Sequence, residues 1–336
     1  MRQQPLSALF LFAVLTSNTC AQSTETLDKL QVLANSGRGV EALQQLDTLV
    51  ASRPKLAGVA RVRGIALYNL NRFPEADAAF ADALSQDSHD EEAAQMRGLT
   101  LYRLGRPQEA IPLLEGAHGS AQGKADPTYV LALCYVEAHR YEDARRAYAT
   151  QYGLAPESAA AYLLAGRMLF RRELLPVAEG FAKEAVRRDP KLPLAHELLG
   201  EIALAGGRFE EAQAEFQQES ATNPLEAAPY ERLGDLLGRQ GKFAEAQVAL
   251  QRAVLLEPNA TGPYILLGRT ALRQGDAVAA LTYLQKAETM DPASAITHNL
   301  LAQTYRVMKR DEDAARELDA LQKLNSSAAP ALHAIP

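Results

Sequence analysis

Residues 227–260 read AAPYERLGDLLGRQGKFAEAQVALQRAVLLEPNA, and residues 261–294 read TGPYILLGRTALRQGDAVAALTYLQKAETMDPAS. Laid one over the other, they place Tyr230 on Tyr264, Leu233 on Leu267, Gly234 on Gly268, Ala246 on Ala280, Leu250 on Leu284, Ala253 on Ala287 and Pro258 on Pro292. The same 34-residue step runs outward through the chain, with alanine at Ala42, Ala76, Ala110, Ala144, Ala178, Ala212, Ala246, Ala280 and Ala314. Glycine keeps the beat at Gly64, Gly98, Gly166, Gly200, Gly234 and Gly268, and proline at Pro54, Pro156, Pro190, Pro224, Pro258 and Pro292. A fixed period of this length means a repeat architecture, in which each unit buries its apolar face on its neighbours.

Within each half-repeat apolar residues recur three and four apart, so both halves are amphipathic helices. Small residues in pairs such as Gly200 with Ala212 mark where two helices approach closely. Gly37, Gly105, Gly207, Gly241 and Gly275 fall between the two helices, where a residue of positive φ commonly closes the first. Asp189-Pro190, Asn223-Pro224, Glu257-Pro258 and Asp291-Pro292 stop the second, because proline biases the residue before it away from helix.

Column by column the repeats resemble the tetratricopeptide repeat, written roughly as W..LG..Y, then A...F..A, then P. The resemblance implies an all-α protein, a right-handed α-α superhelix of nine helix-turn-helix repeats forming one solenoid over residues 22–328. The repeats would be 23–56, 57–90, 91–124, 125–158, 159–192, 193–226, 227–260, 261–294 and 295–328. The end repeats read as caps, since Leu30 and Ala302 stand in the glycine column and Asp311 to Leu324 is densely charged.

Residues 1–21 stand outside the period, with Arg2 the only charge and an apolar run from Ala8 to Leu15. They read as a bacterial-type secretory signal, with Thr19 and Ala21 at the positions a signal peptidase inspects and Gln22 as the new N-terminus. The rival is a lipoprotein signal acylated at Cys20, although Ser17-Asn18-Thr19 matches the usual lead-in poorly. Either way an exported protein is expected, periplasmic or secreted, with residues 329–336 as a disordered tail. No later stretch has the unbroken apolar length of a membrane span, about 18 residues. Loss of one arginine and no acid takes the formal charge from -6 to -7, which disfavours nucleic acid as a partner. Cys134 would be the remaining cysteine, in a column shared with Ala66, Thr100, Met168 and Ile202, and so a buried, inert thiol.

No HExxH, GxSxG, CxxC or Rossmann glycine pattern occurs, so neither catalytic residues nor a cofactor are expected. Gly119 to Ala125 has the wrong glycine spacing for a phosphate loop and lacks its hydroxyl. The six histidines are scattered, and His196 and His298 share a column with Tyr162, Tyr230 and Tyr264, which suggests packing and no metal site.

Function is then expected in surfaces. In proteins that resemble this one the first helices line a concave groove that takes extended peptides or partner helices. By column, the groove in the second to fifth repeats would present Arg61, Ile65, Tyr68, Leu99, Tyr102 and Arg103, then Tyr129, Leu133, Arg167, Phe170 and Arg171. Ile65, Leu99 and Leu133 would form either an apolar patch for partner side chains or packing between repeats. The sixth and seventh repeats turn acidic with Glu197, Glu201, Glu231 and Asp235, and Arg269 and Arg273 restore the positive charge. Such bands either orient a long ligand or form a solvated face of ion pairs. Leu27, Gln31, Arg61 and Ile65 replace the lysine and asparagine clamp of chaperone-binding members.

Pro112 falls inside a second helix and three glycines precede Asp126-Pro127, so the join from Gly116 to Pro127 is expected to be the most mobile point. The functional expectation is a non-enzymatic scaffold of the cell envelope that binds other proteins. The alternative is an accessory of exopolysaccharide assembly or secretion, contacting glycan or synthase, with tyrosines suited to stacking on sugars.

Overall fold

The computed structural model describes residues 25–53, 56–116 and 127–328. The leader, the Gly116 to Pro127 join and the tail lie wholly or mostly outside the described residues. The chain divides into two compact units, residues 1–157 and 158–336. The division falls beside the expected boundary between the fourth and fifth repeats. There the chain leaves helix from Tyr152 to Ser158. Within the first unit, Arg145 is 1% exposed and binds the Pro156 carbonyl and, at 2.7 Å, the Glu157 carboxylate.

The first unit holds α1 (residues 25–35), α2 (Gly39–Ser52), α3 (Val59–Asn69), α4 (Phe73–Gln86), α5 (Glu91–Arg103), α6 (Pro107–Gly116), α7 (Pro127–Glu137) and α8 (Tyr141–Gln151). The second holds α9 (Ala159–Phe170), α10 (Leu175–Arg188), α11 (Ala195–Ala205), α12 (Phe209–Thr222), α13 (Ala228–Arg239), α14 (Phe243–Leu256), α15 (Thr261–Gln274), α16 (Ala277–Met290), α17 (Ala295–Val307) and α18 (Asp311–Ala328). No strand occurs among the described residues. From α2 to α8 and from α9 to α18 each helix packs on its chain neighbours, the α-α stacking of a superhelix. First helices also touch one another, α3 with α5, α5 with α7, α9 with α11, α13 with α15 and α15 with α17, which makes a layer of first helices in each unit.

The alanine column is the reason for the close pairing, because all nine of its members are at most 3% exposed. In the glycine column the expected approach of two backbones is met at Gly166, where a Cβ would lie 3.3 Å from the Ala178 carbonyl oxygen and 3.4 Å from Ala182 N, and elsewhere a side chain adds to it. A Cβ on Gly64 would lie 2.5 Å from the Phe80 ring, and one on Gly200 would lie 2.5 Å from the Phe216 ring, so a side chain of the second helix fills the space. Gly200→Ala is therefore expected to cost about 1–3 kcal/mol by overpacking. Gly180→Ala, which meets nothing within 4 Å, is expected to leave the melting temperature equal or higher. Equal loss in both variants would contradict this packing.

The turn column is left-handed in all nine repeats, with Asn71, His139, Glu173 and Lys309 at φ 58 to 62° beside the five glycines. The second helices α10, α12, α14 and α16 end just before Asp189, Asn223, Glu257 and Asp291, the residues that precede the prolines. Helix α6 continues through Pro112 to Gly116. On α18, Glu312, Arg316, Asp319 and Lys323 are exposed, as a capping helix requires. No described helix is long and apolar enough to cross a membrane. Cys134 is buried, and burial pushes its thiol up to about 12.

Candidate partner-binding face

In the first unit, α3, α5 and α7 carry the expected groove residues at unequal depth. Ile65 is 2% exposed and Leu99 5%, and Ile65 packs with Ala66, Leu67 and Phe80. Leu133 is half-buried. The three do not form an exposed apolar patch, because the first two turn into the layer between helices. Tyr68 and Tyr102 are half-buried, with Tyr68 edge-on to Phe73 at 5.5 Å. Tyr129 is exposed, its ring centroid 6.0 Å from that of Tyr148. The basic edge is partly neutralised from the start of α5: Arg61 lies 3.2 Å from both Asp90 and Glu92, and Gln31 donates to Glu92 at 2.6 Å. Asp90 also caps α5 by accepting from Ala93 N. Arg103 is exposed.

In the second unit the charge bands resolve into paired and unpaired groups. Glu201 pairs with Arg232 at 3.0 Å, and Asp235 pairs with Arg239 at 2.7 Å and with Arg269. Arg239, Arg269 and the exposed Arg273 line a pocket of ≈ 250 Å³ together with Gly238, Phe243 and Thr270. Phe170 is half-buried and Arg171 exposed. Arg167 on α9 is half-buried, and its Nη2 has no hydrogen-bond partner. Glu197 on α11 is 6% exposed, and its Oε2 likewise has none. Burial pushes the Glu197 carboxyl up and the Glu201 charge adds to it, against Arg167 and Arg232. Glu231 on α13 is pushed up by burial as well, opposed by Arg232 and reinforced by Glu257 and Asp235.

A carboxyl raised in the folded state keeps its proton longer there than in the unfolded chain. Stability therefore falls as pH rises from the ordinary value of 4.5 through the folded one, and the penalty is complete above it. Glu197→Gln is expected to gain about 1 kcal/mol at pH 8 by removing a buried, unpaired charge. The gain should vanish at pH 4 in thermal melts, and a gain independent of pH would contradict it.

Two functional residues escaped the sequence reading. Arg232, one position from the groove column, ties α13 to Glu201 of the preceding repeat. Glu219 is fully buried and accepts from the backbone of Leu194, His196 and Glu197 at 2.8, 3.0 and 3.2 Å and from Asn223 Nδ2 at 2.7 Å. It thereby satisfies the start of α11 and sets the position of Glu197. The signal was present: Glu219 stands in a column where other repeats have Ala83, Ala185, Ala253 and Ala287.

Helix pairs that stack on their chain neighbours, repeating every 34 residues with a charged first-helix face, define a helical-repeat protein. The chain belongs to the tetratricopeptide repeat family, whose sequence profile matches residues 129–193, 197–263, 231–295 and 265–329, more than half of it. A second profile, that of anaphase-promoting complex, cyclosome, subunit 3, matches residues 69–151. No curated protein matches the chain.

Similar solved structures include MamA 41-end from Desulfovibrio magneticus RS-1, at 21% identity over 50% of this chain and 96% of that one, TM-score 0.47. YrrB, described as a TPR protein with an unusual peptide-binding site, is 24% identical over 53% of this chain and 92% of its own, TM-score 0.45. PilW, described as a type IV pilus biogenesis factor, is 20% identical over 58% and 91%, TM-score 0.49.

Proposed function

We propose that the protein is a non-enzymatic scaffold of a bacterial-type cell envelope, exported by the leader at residues 1–21, that binds partner peptides or helices on its first-helix face. The observation that carries this reading is the pair Arg167 and Glu197. Each keeps a buried polar atom without a hydrogen-bond partner, whereas Glu201 and Asp235 beside them are paired. Folding alone disfavours such atoms, and they concentrate where a ligand completes them. The arginine-lined pocket at Arg273 supplies the opposite charge further along the same face. A partner segment carrying a hydrogen-bond donor for Glu197 and an acid for Arg273 fits that order.

The second reading, contact with an exopolysaccharide, is favoured by exposed Tyr129 beside Tyr148, a surface on which a sugar ring can stack. Photo-crosslinking in the native envelope separates the two. A crosslinker at Arg273 on the first-helix face is expected to capture protein. A second at exposed Val248, beside the ≈ 480 Å³ groove of Tyr230, Leu233 and Arg252, is expected to capture none. Capture from Val248 alone would move the interface to the second helices, and glycan bound near Tyr129 without protein would favour the second reading. Release of a chain that keeps residues 1–21 into the cytoplasm would overturn export.

A further inference from the structure

Between α16, α17 and α18, where the eighth repeat meets the ninth, Glu288, His298 and Glu317 each turn one ligand-capable atom to within 4.8 Å of the other two. His298 Nδ1 lies 2.7 Å from Glu317 Oε2 and 4.0 Å from Glu288 Oε1. The ring is 6% exposed, and its Nε2 lies 3.0 Å from the carbonyl oxygen of Pro292. A carbonyl only accepts, so Nε2 carries a hydrogen and Nδ1 is the nitrogen left to face the two carboxylates. Metal-binding histidines are held in this way, with the far N–H on a carbonyl or carboxylate that fixes the ring.

The repeat itself supplies a comparison. Three repeats earlier, His196 and Glu215 stand in the same columns at the same 2.7 Å, but Val186 occupies the column of Glu288. A histidine–glutamate hydrogen bond is thus a packing device this chain uses twice, and the third donor is particular to the last pair of repeats. Its carboxyl is pushed up by burial and by the Glu317 charge, against the pull of His298.

We propose that Glu288, His298 and Glu317 bind a divalent transition-metal ion of the zinc class through His298 Nδ1 and one oxygen of each carboxylate, with solvent completing the coordination. Tetrahedral zinc with bonds of about 2.0–2.1 Å to nitrogen and oxygen needs donors about 3.4 Å apart. The present separations, from 2.7 Å up to 4.8 Å, bracket that value, so rotations of the two glutamates suffice. One imidazole with two carboxylates suits zinc, manganese, cobalt or nickel, whereas magnesium and calcium take all-oxygen sets. Any proton on Nδ1 leaves to solvent as the ion enters. The bound ion would tie α16, α17 and α18 together at the capping end.

The test is calorimetric titration of the tag-free, chelator-treated chain with zinc sulfate, with thermal melts in parallel. One zinc per chain and a higher melting temperature are expected. Two substitutions borrow residues the repeat already accommodates in those columns: Glu288→Val, after Val186, and His298→Tyr, after Tyr162, Tyr230 and Tyr264. Glu288→Val should weaken zinc binding roughly tenfold or more. His298→Tyr should abolish it, and His196→Tyr should leave it unchanged. Cobalt in place of zinc should show an absorption spectrum of nitrogen and oxygen ligands that is lost in His298→Tyr. Absence of saturable zinc binding, equal affinity in Glu288→Val, or equally tight binding of magnesium chloride would overturn the site and leave a hydrogen-bonded packing pair.

Discussion

Ile65→Asp is expected to unfold the α3 to α6 region, with a loss of more than about 4 kcal/mol. Ile65 is 2% exposed and packs on Phe80, so the variant removes a core side chain and puts an unpaired carboxylate in its place. Leu99→Asp should behave alike, at 5% exposure on α5. Arg103→Glu, on the exposed end of α5, should change stability by less than about 0.5 kcal/mol. Hydrogen exchange over residues 59–116 reads the difference: lost protection in the first two, native protection in the third. A soluble Ile65→Asp chain with unchanged protection would return this residue to the surface. The comparison also decides how the interface is probed, since a lost interaction in an unfolded variant says nothing about a face.

The second large effect is expected at Glu219. Glu219→Ala leaves three backbone N–H groups at the start of α11 and the Asn223 amide without their acceptor, in a site that is 0% exposed. Breaking a buried charged network from one side costs about 3–5 kcal/mol. Glu219→Gln keeps one acceptor oxygen and should lose less. Because Leu194, ahead of α11, is held at φ 70°, the loss should appear as exchange of α11 amides before those of α13 and α14. Uniform loss through the second unit would contradict a local role.

These two residues show what the sequence made legible. The 34-residue period carried the helices, their ends and the buried alanine column, because each follows from one residue type recurring in one place. It did not carry depth. Ile65 and Tyr68 are one turn apart on α3 and both fall in groove columns, yet one is buried and the other half-buried, since exposure depends on what the adjacent repeat brings over them. Nor could columns tell paired from unpaired charge. Glu201 and Glu197 are four apart on α11, and only Glu201 meets Arg232. The left-handed turn was announced by glycine in five repeats and silent in the four that use Asn71, His139, Glu173 and Lys309. Glu219 and Glu288 were visible only as departures from their columns, a signal that gains meaning once the neighbours are placed.

On the proposed function, Arg167 and Glu197 are kept for a partner and not for the fold. The direct measurement is the affinity of the partner captured at Arg273 for the wild type and for the Arg167→Gln, Glu197→Gln double variant, with melting temperatures taken on the same samples. At least a tenfold loss of affinity with an equal or higher melting temperature is expected. Unchanged affinity, or a loss that follows a lower melting temperature, would contradict that role.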